Sequence, residues 1–234
     1  MRIVAVIPSR FGSTRFEGKP LAMIAGKPMV QWVYESASRA SRTSEVVVAT
    51  DDRRIFDAVQ AFNGRVLMTS ADHGSGSDRV AEAAEQLGLA AEDIAINVQG
   101  DQPLVQPACF DAVVEPLLAC PEDGMSTLAF AVVDRQEYTN PKDCKVVMDH
   151  RGYALYFSRA AIPFARDGGD AFTVYKHLGV YAYTRRFLDT FRQLPTGRLE
   201  QVAKLEQLRA LEHGLRIKVV VTPHDSPEVD LPED

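Results

Sequence analysis

Three cations and two glycines crowd the stretch Ile7-Pro8-Ser9-Arg10-Phe11-Gly12-Ser13-Thr14-Arg15-Phe16-Glu17-Gly18-Lys19-Pro20, against a single acid, Glu17. Gly12 and Gly18 let main-chain N–H groups approach a ligand, Ser13 and Thr14 add hydroxyl donors, and Arg10, Arg15 and Lys19 supply fixed positive charge. Such a density of donors suits a polyanion, a triphosphate above all. Two familiar phosphate loops do not fit. A Walker loop needs four residues between its first glycine and Gly-Lys, then Ser or Thr; here five separate Gly12 from Gly18, and Pro20 follows Lys19. The G-x-G-x-x-G dinucleotide pattern is absent as well. An exposed basic loop with turn glycines is the alternative reading.

Asp101 closes the apolar run 94–98 and follows Gly100, so its carboxylate would project from a strand end past a residue without a side chain. It is the first candidate metal ligand, because hard divalent cations such as Mg²⁺ take one or two carboxylates together with phosphate and water oxygens. A Gly-Asp turn that merely ends a strand is the other reading. Asp230 is a second candidate ligand, not distinguished by spacing from the other acids of the tail Glu228-Val229-Asp230-Leu231-Pro232-Glu233-Asp234. In Asp72-His73-Gly74-Ser75-Gly76-Ser77-Asp78-Arg79, main-chain groups freed by glycines match the hydrogen-bonding edge of a pyrimidine. The same residues also read as a helix start with Ser77 or Asp78 as N-cap. Ser158-Arg159, His177 and Glu206-Gln207 suit a polyhydroxylated acid, Arg gripping a carboxylate in two places. Each has a structural alternative: a surface ion pair, a satisfied strand histidine, the solvated face of a helix.

Positioning these residues is the task of an α/β framework. Apolar runs at 3–7, 46–49, 66–68 and 94–98 alternate with helical periodicity at 29–40, 53–62 and 78–87. This βαβ series predicts a doubly wound, mostly parallel sheet whose ligand lies beyond the C-terminal strand ends. The loop after Pro8, Thr50-Asp51-Asp52, residues 73–78 and Gln99-Gly100-Asp101 would gather there. From residue 125 extended pieces follow at 125–132, 145–148, 154–157 and 177–183, with turn signals between them. We read a single domain over residues 1–234 with a strand-rich insertion at approximately 133–184, then helices at 185–193 and 199–213 and a last strand at 217–221. Length, 46% hydrophobic and 25% charged residues fit one globular α/β domain. The net charge of −6 argues against a nucleic-acid footprint and leaves room for a local anion pocket. Cys109, Cys120 and Cys144 form no C-x-x-C pair, and the five histidines lack zinc spacing. Without a leader pattern or membrane-length apolar run, a cytoplasmic enzyme with a small-molecule partner is expected.

Across nearly its whole length the chain resembles the sugar-acid cytidylyltransferases, specifically the 3-deoxy-manno-octulosonate (KDO) cytidylyltransferases. The stretches that carry the resemblance are the loop 8–20, Ala49-Thr50-Asp51-Asp52, Ser75-Gly76-Ser77-Asp78-Arg79, and residues 97–103, 153–163, 176–183, 205–208 and 229–234. The resemblance implies a nucleotide-diphospho-sugar transferase fold, CTP as nucleotide, Mg²⁺ as cofactor, a homodimer, and a place in lipopolysaccharide biosynthesis. It also implies the site. Asp101 and Asp230 would hold metal; Arg10, Ser13, Arg15 and Lys19 would meet the triphosphate; Ser75, Gly76, Ser77 and Arg79 the cytosine end; Gln99, Arg159, His177, Glu206 and Gln207 the eight-carbon sugar acid. The implied reaction is attack of the anomeric hydroxyl on the α-phosphorus of CTP, with Lys19, Asp101 and Asp230 as the catalytic group and no covalent enzyme intermediate.

Residues 175–187 and 197–200 look particularly like the branch that activates 8-amino-3,8-dideoxy-manno-octulosonate, which implies a higher kcat/KM for that sugar, with Glu200 or Glu206 as partner of its ammonium group. Three positions depart from the pattern: Glu17 stands for Pro, Ser77 for Thr and Leu231 for Thr. Relatives also continue past the position of Asp234 into a terminal helix. The competing expectations are a nucleotidyltransferase for another sugar acid or base, and a nucleotide-binding protein of the same fold without catalysis.

Overall fold

Alternation along the first strand decides which helices cover which face of the sheet. Ile3, Ala5 and Ile7 belong to one apolar cluster and Val4 and Val6 to another, the two-residue period of a strand buried on both sides. The computed structural model describes residues 1–12, 16–167 and 172–234. Its elements begin with β1 (Ile3–Ser9), a small hairpin of β2 (Met23–Ile24) and β3 (Lys27–Pro28), α1 (Met29–Ala37), β4 (Glu45–Thr50) and α2 (Arg53–Ala61). Then come β5 (Val66–Met68), α3 (Gly76–Gln86), β6 (Ile94–Asn97), α4 (Pro107–Ala119), β7 (Met125–Ala131) and α5 (Arg135–Thr139). The chain ends with β8 (Lys145–Met148), β9 (Ala154–Ser158), β10 (Tyr175–Thr184), α6 (Arg185–Gln193), α7 (Arg198–Ala203), α8 (Leu208–Glu212) and β11 (Lys218–Thr222).

Among the described residues the main sheet has nine strands, in the order β11-β7-β10-β6-β1-β4-β5 with β8 and β9 attached through β10. β5, β4, β1 and β6 run parallel, and β10 is antiparallel to β6 and β7. The doubly wound, mostly parallel sheet read from the sequence is therefore present. Val30, Val33, Ile55, Val59, Phe110 and Val113 of α1, α2 and α4 pack on one face; Val80, Ala84, Leu188, Phe191 and Leu208 of α3, α6 and α8 pack on the other. No helix among the described residues is long and apolar enough to cross a membrane.

Three local features differ from the sequence reading. Residues 199–213 do not form one helix: Lys204 adopts a left-handed φ of +54° that ends α7, and Leu205, Glu206 and Gln207 turn before α8 starts. Helix α4, to which the sequence reading assigned nothing, starts on Pro107 at its first position, where a missing N–H costs nothing, and buries Cys109, Phe110, Val113, Val114 and Leu117. The N-cap of α3 is Ser75, whose Oγ accepts from Asp78 N at 3.2 Å, rather than Ser77 or Asp78. As for the segment read as an insertion, β8 and β9 do hang from the start of β10, whereas residues 181–184 of β10 lie in the central sheet against β6.

β10 slips register between His177 and Tyr181, and Gly179 sits inside that bulge with a φ of +73°. Bulges of this kind bend a strand and re-aim its side chains, and a left-handed position favours glycine. A Cβ on Gly179 would stand 3.3 Å from Gln99 Cγ. Gly179→Ala is expected to cost about 1–3 kcal/mol through backbone strain, lowering Tm by about 2–4 °C per kcal/mol in a chain of this size. Thermal unfolding checks this; an unchanged Tm would show that the bulge does not depend on glycine.

Candidate active site

β6 delivers Asp101 to the C-terminal edge of the sheet, with Val98 N bonded to Val6 O at 2.9 Å, and Gly100 lets this turn pass close to Pro8 O. Lys19 sits on a single helical turn that follows Gly18. Gly18 has a φ of +70°, its N–H is spent on Phe11 O at 2.9 Å, and a Cβ would meet the Phe11 ring at 3.0 Å. This corrects the reading of Gly18 as a residue that opens a backbone N–H to ligand: it makes the turn that aims Lys19. The ammonium of Lys19 lies 2.7 Å from Asp101 Oδ2 and 3.5 Å from Asp230 Oδ1. Asp230 is buried, its segment stitched to Asp101 by Val229 N to Asp101 O at 2.9 Å, and Asp234 Oδ2 accepts from Asp230 N at 2.8 Å and Leu231 N at 2.9 Å. The side chain of Asp234 thus fixes the turn that carries Asp230.

Glu228 joins this cluster, a residue the sequence reading passed over. Partial desolvation and the nearby Asp101 and Asp230 charges push its carboxyl up to about 6. The i, i+2 spacing of Glu228 and Asp230 in an extended tail, which places both on one side, is the signal that could have found it. Two carboxylates thus share the Lys19 ammonium, with the Glu228 carboxyl close enough to feel their charge.

Two cavities meet here. A smaller one of about 280 Å³ is lined by Ser9, Arg10, Lys19, Ser75, Arg79 and Asp101, and a larger one of about 1130 Å³ by Asn97, Arg159, His177, Glu206, Gln207 and Asp230. Pro8, Gly76 and Gln99 line both. Asp101 therefore faces the smaller space and Asp230 the larger, with Lys19 joining them.

In the smaller cavity Arg10 is exposed at the wall, while Ser75 and Gly76 form the first turn of α3. Arg79 lines it too, but its guanidinium is committed to Asp51 Oδ2 at 2.9 Å and Thr69 Oγ1 at 2.5 Å, so it shapes the wall from a buried position. Ser13 and Arg15 lie outside the described residues. Ser77 is not in this cavity. It faces the core from α3, donates to Glu206 Oε2 at 3.1 Å and lies 3.3 Å from the Tyr183 hydroxyl, beneath the larger cavity.

In the larger cavity a hydrogen-bond count fixes the state of His177. Thr127 Oγ1 gives its one proton to Val180 O at 2.7 Å, since a carbonyl only accepts; His177 Nε2, 2.9 Å from the same oxygen, must donate to it. Nδ1 is left as an acceptor. Burial pushes the His177 pKa down to about 3, so the ring stays neutral at ordinary pH. Gln99 Nε2 donates to Gly179 O at 2.9 Å. Arg159 donates through Nε to Ala203 O at 3.1 Å and through Nη1 to Pro141 O at 3.2 Å. Burial raises the Glu206 carboxyl above the usual range. Among the described residues the buried Asn97 Oδ1, Glu206 Oε1 and Gln207 Nε2 have no hydrogen-bond partner, and all three residues line this cavity. An unpaired buried polar atom costs about 1–3 kcal/mol, so such a wall favours a ligand rich in hydroxyls. Glu200 is not part of it: its carboxylate is held by Arg209 at 2.5 and 2.8 Å and by Gly197 N.

A doubly wound sheet that gathers basic residues, a strand-end aspartate, an aspartate of the tail and a polar second cavity at one edge has the layout of a nucleotidyltransferase. The sequence profile described as cytidylyltransferase matches residues 4–217, and the chain belongs to that family. It is 63% identical over 234 residues to the 3-deoxy-manno-octulosonate cytidylyltransferase of Desulfosudis oleivorans, covering all of this chain and 94% of that protein. It is 56% identical over 235 residues to the 8-amino-3,8-dideoxy-manno-octulosonate cytidylyltransferase of Shewanella piezotolerans, covering all of this chain and 96% of the relative. Among solved structures, a CMP:2-keto-3-deoxy-manno-octonic acid synthetase complexed with CTP superposes with a TM-score of 0.93 at 41% identity, over all of this chain and 95% of that one.

Asp101→Ala is expected to lower pyrophosphate release by about a hundredfold or more, since losing a carboxylate that would hold a charge-neutralising cation forfeits several kcal/mol in the transition state. Asp230→Ala should behave alike, with circular dichroism unchanged in both. Near-parental turnover by folded Asp101→Ala at saturating Mg²⁺ would remove Asp101 from the chemistry; full activity of Asp230→Ala alone would pass its role to another acid of the tail.

Proposed function

We propose that this chain transfers CMP from CTP to the anomeric hydroxyl of a KDO-type sugar acid and releases pyrophosphate, supplying an activated sugar for lipopolysaccharide. The observation that carries this reading is the meeting of the two cavities at Lys19, Asp101 and Asp230. The smaller takes the nucleotide over the first turn of α3, with Arg10 and Lys19 toward the phosphates. The larger takes the sugar acid, with the uncommitted acceptor Nδ1 of His177, the unpaired atoms of Asn97, Glu206 and Gln207, and the Arg159 cation at its walls. The α-phosphorus and the attacking hydroxyl then meet at the junction.

Holding the two reactants in line provides much of the rate, because it replaces a chance encounter by a fixed geometry. The new bond forms from the anomeric oxygen to phosphorus as the bond to pyrophosphate breaks, and Lys19 meets the charge that gathers on the departing oxygens. No side chain needs to become covalently attached. Mg²⁺ is the proposed cofactor, and the donor set fits it. Asp101 and Asp230 converge on one cationic atom, the Lys19 ammonium. A cation that takes one or two carboxylates and fills its other positions with phosphate and water oxygens matches that arrangement. When bound it supplies charge neutralisation on the phosphates.

KDO-type is the acceptor class common to the relatives. Within it, Glu206 is the carboxylate placed to distinguish an 8-ammonium from an 8-hydroxyl group, since it lines the larger cavity with Arg209 no nearer than 3.9 Å, whereas Glu200 lies outside the cavity in the close grip of Arg209. We also place the reaction in the cytoplasm and expect a homodimer; the exposed apolar Val133, Leu155 and Phe164 of the 133–184 segment support a second copy as their cover.

A pyrophosphate-release assay with CTP, UTP, ATP and GTP against KDO, its 8-amino analogue and other sugar acids tests the reading. CTP with a KDO-type acid should be preferred, and Glu206→Gln should lower kcat/KM for the 8-amino sugar by about ten- to a hundredfold more than for KDO, the worth of a charge-assisted hydrogen bond. Release with another base or another acid would reassign the substrates; nucleotide binding without release would make this a binding protein.

A further inference from the structure

Lys145 opens β8 with no exposed surface, and all three of its ammonium donors are used on main-chain carbonyls: Asn140 O at 2.7 Å, Asp143 O at 2.5 Å and Arg159 O at 3.0 Å. Among the described residues no carboxylate stands within ion-pair distance of it. Taking a charge out of water with only carbonyls in contact, and the Asp143 charge beyond ion-pair distance, is costly, and an apolar residue would fill the same space at less cost. A cation kept there points to a role beyond packing. Its three acceptors identify that role. Residues 139–144 and Arg159 form one wall of the larger cavity, and the ammonium ties the two ends of that loop to the start of the Arg159 turn. Arg159 returns the contact by donating to Pro141 O, inside the same loop, and Cys144 O accepts from His177 N at 2.8 Å. The loop, the arginine and the strand carrying His177 are thereby joined at one point.

We propose that Lys145 is a positioning residue for the sugar acid: it holds the 139–144 wall and the Arg159 turn in the geometry that grips the substrate, while the nucleotide half of the site does not depend on it. This rests on the reading of the larger cavity as the sugar-acid site. No contact made by Lys145 reaches the residues that line the smaller cavity, so its loss should separate the two substrates kinetically.

The test is steady-state pyrophosphate release by Lys145→Met and Lys145→Gln, with KM for the sugar acid and for CTP measured separately and folding checked by circular dichroism. Met keeps the volume and removes every donor; Gln restores amide donors without the charge. Lys145→Met should raise the sugar-acid KM about tenfold or more with the CTP KM within about twofold, and Lys145→Gln should recover part of that loss. Equal changes in both KM values, or none in a folded variant, would overturn the proposal. If neither variant folds, hydrogen exchange on the parental protein decides: sugar acid, but not CTP, should slow exchange across 139–145 and 158–160, and a sugar-dependent slowing confined to other segments would overturn it. A parental protein that releases no pyrophosphate with either KDO-type sugar would instead overturn the functional reading, and this inference with it.

Discussion

The Lys19 ammonium between Asp101 and Asp230 is the contact on which the site depends, because it draws together segments 82 and 211 positions apart in sequence. Each of these partly or largely buried charges is offset by an opposite one, which lowers the cost of withdrawing it from solvent. The rest of the architecture delivers these three groups. Gly18 turns the chain so that Lys19 points inward, β6 and the Gly100 turn bring up Asp101, and the tail is fastened across Asp101 O and closed by the Asp234 side chain.

Around that cluster the two halves of the site are built by different means. The smaller cavity is built on a capped helix start, a glycine-bearing turn and an arginine fixed from behind by Asp51 and Thr69. The larger cavity is lined by side chains brought in by irregular backbone. A bulge at Gly179 sets His177 and Tyr181 in different registers, and the break at Lys204 turns Glu206 and Gln207 toward the cavity. Burial then settles protonation. His177 is kept neutral with one acceptor nitrogen, and Glu206 holds its proton more tightly than a solvated carboxylate.

How much of this was legible follows from the physics of each element. The βαβ series could be read because its strands are continuous apolar runs and its helices carry a 3.6-residue period, and Asp101 because it stands at the end of such a run. The break in 199–213 could not: Lys204 in a left-handed conformation has no local signature, and the apolar spacing of Leu205 and Leu208 continues the helical rhythm across it. Helix α4 gave little contrast because apolar residues occupy most of its circumference. Ser77 was placed with the base because it lies among glycines and serines, whereas its position in the first turn of α3 points it into the core. Glu200 and Glu206 look alike in sequence; Arg209 grips Glu200 closely at 2.5 and 2.8 Å and reaches Glu206 only at 3.9 Å, and Glu206 alone lines the larger cavity, a difference only the fold supplies. Lys145 was invisible as anything but a surface cation, since nothing local foretells three carbonyls closing around it.

The most direct test of the central claim is a crystal structure of the protein with CTP and Mn²⁺, read by anomalous scattering. The account predicts a manganese peak coordinated by both Asp101 and Asp230 and by phosphate oxygens, with the Lys19 ammonium moved from the carboxylates onto the triphosphate. Manganese held by the nucleotide with neither aspartate in its coordination shell, and Lys19 still bridging the two carboxylates, would contradict it.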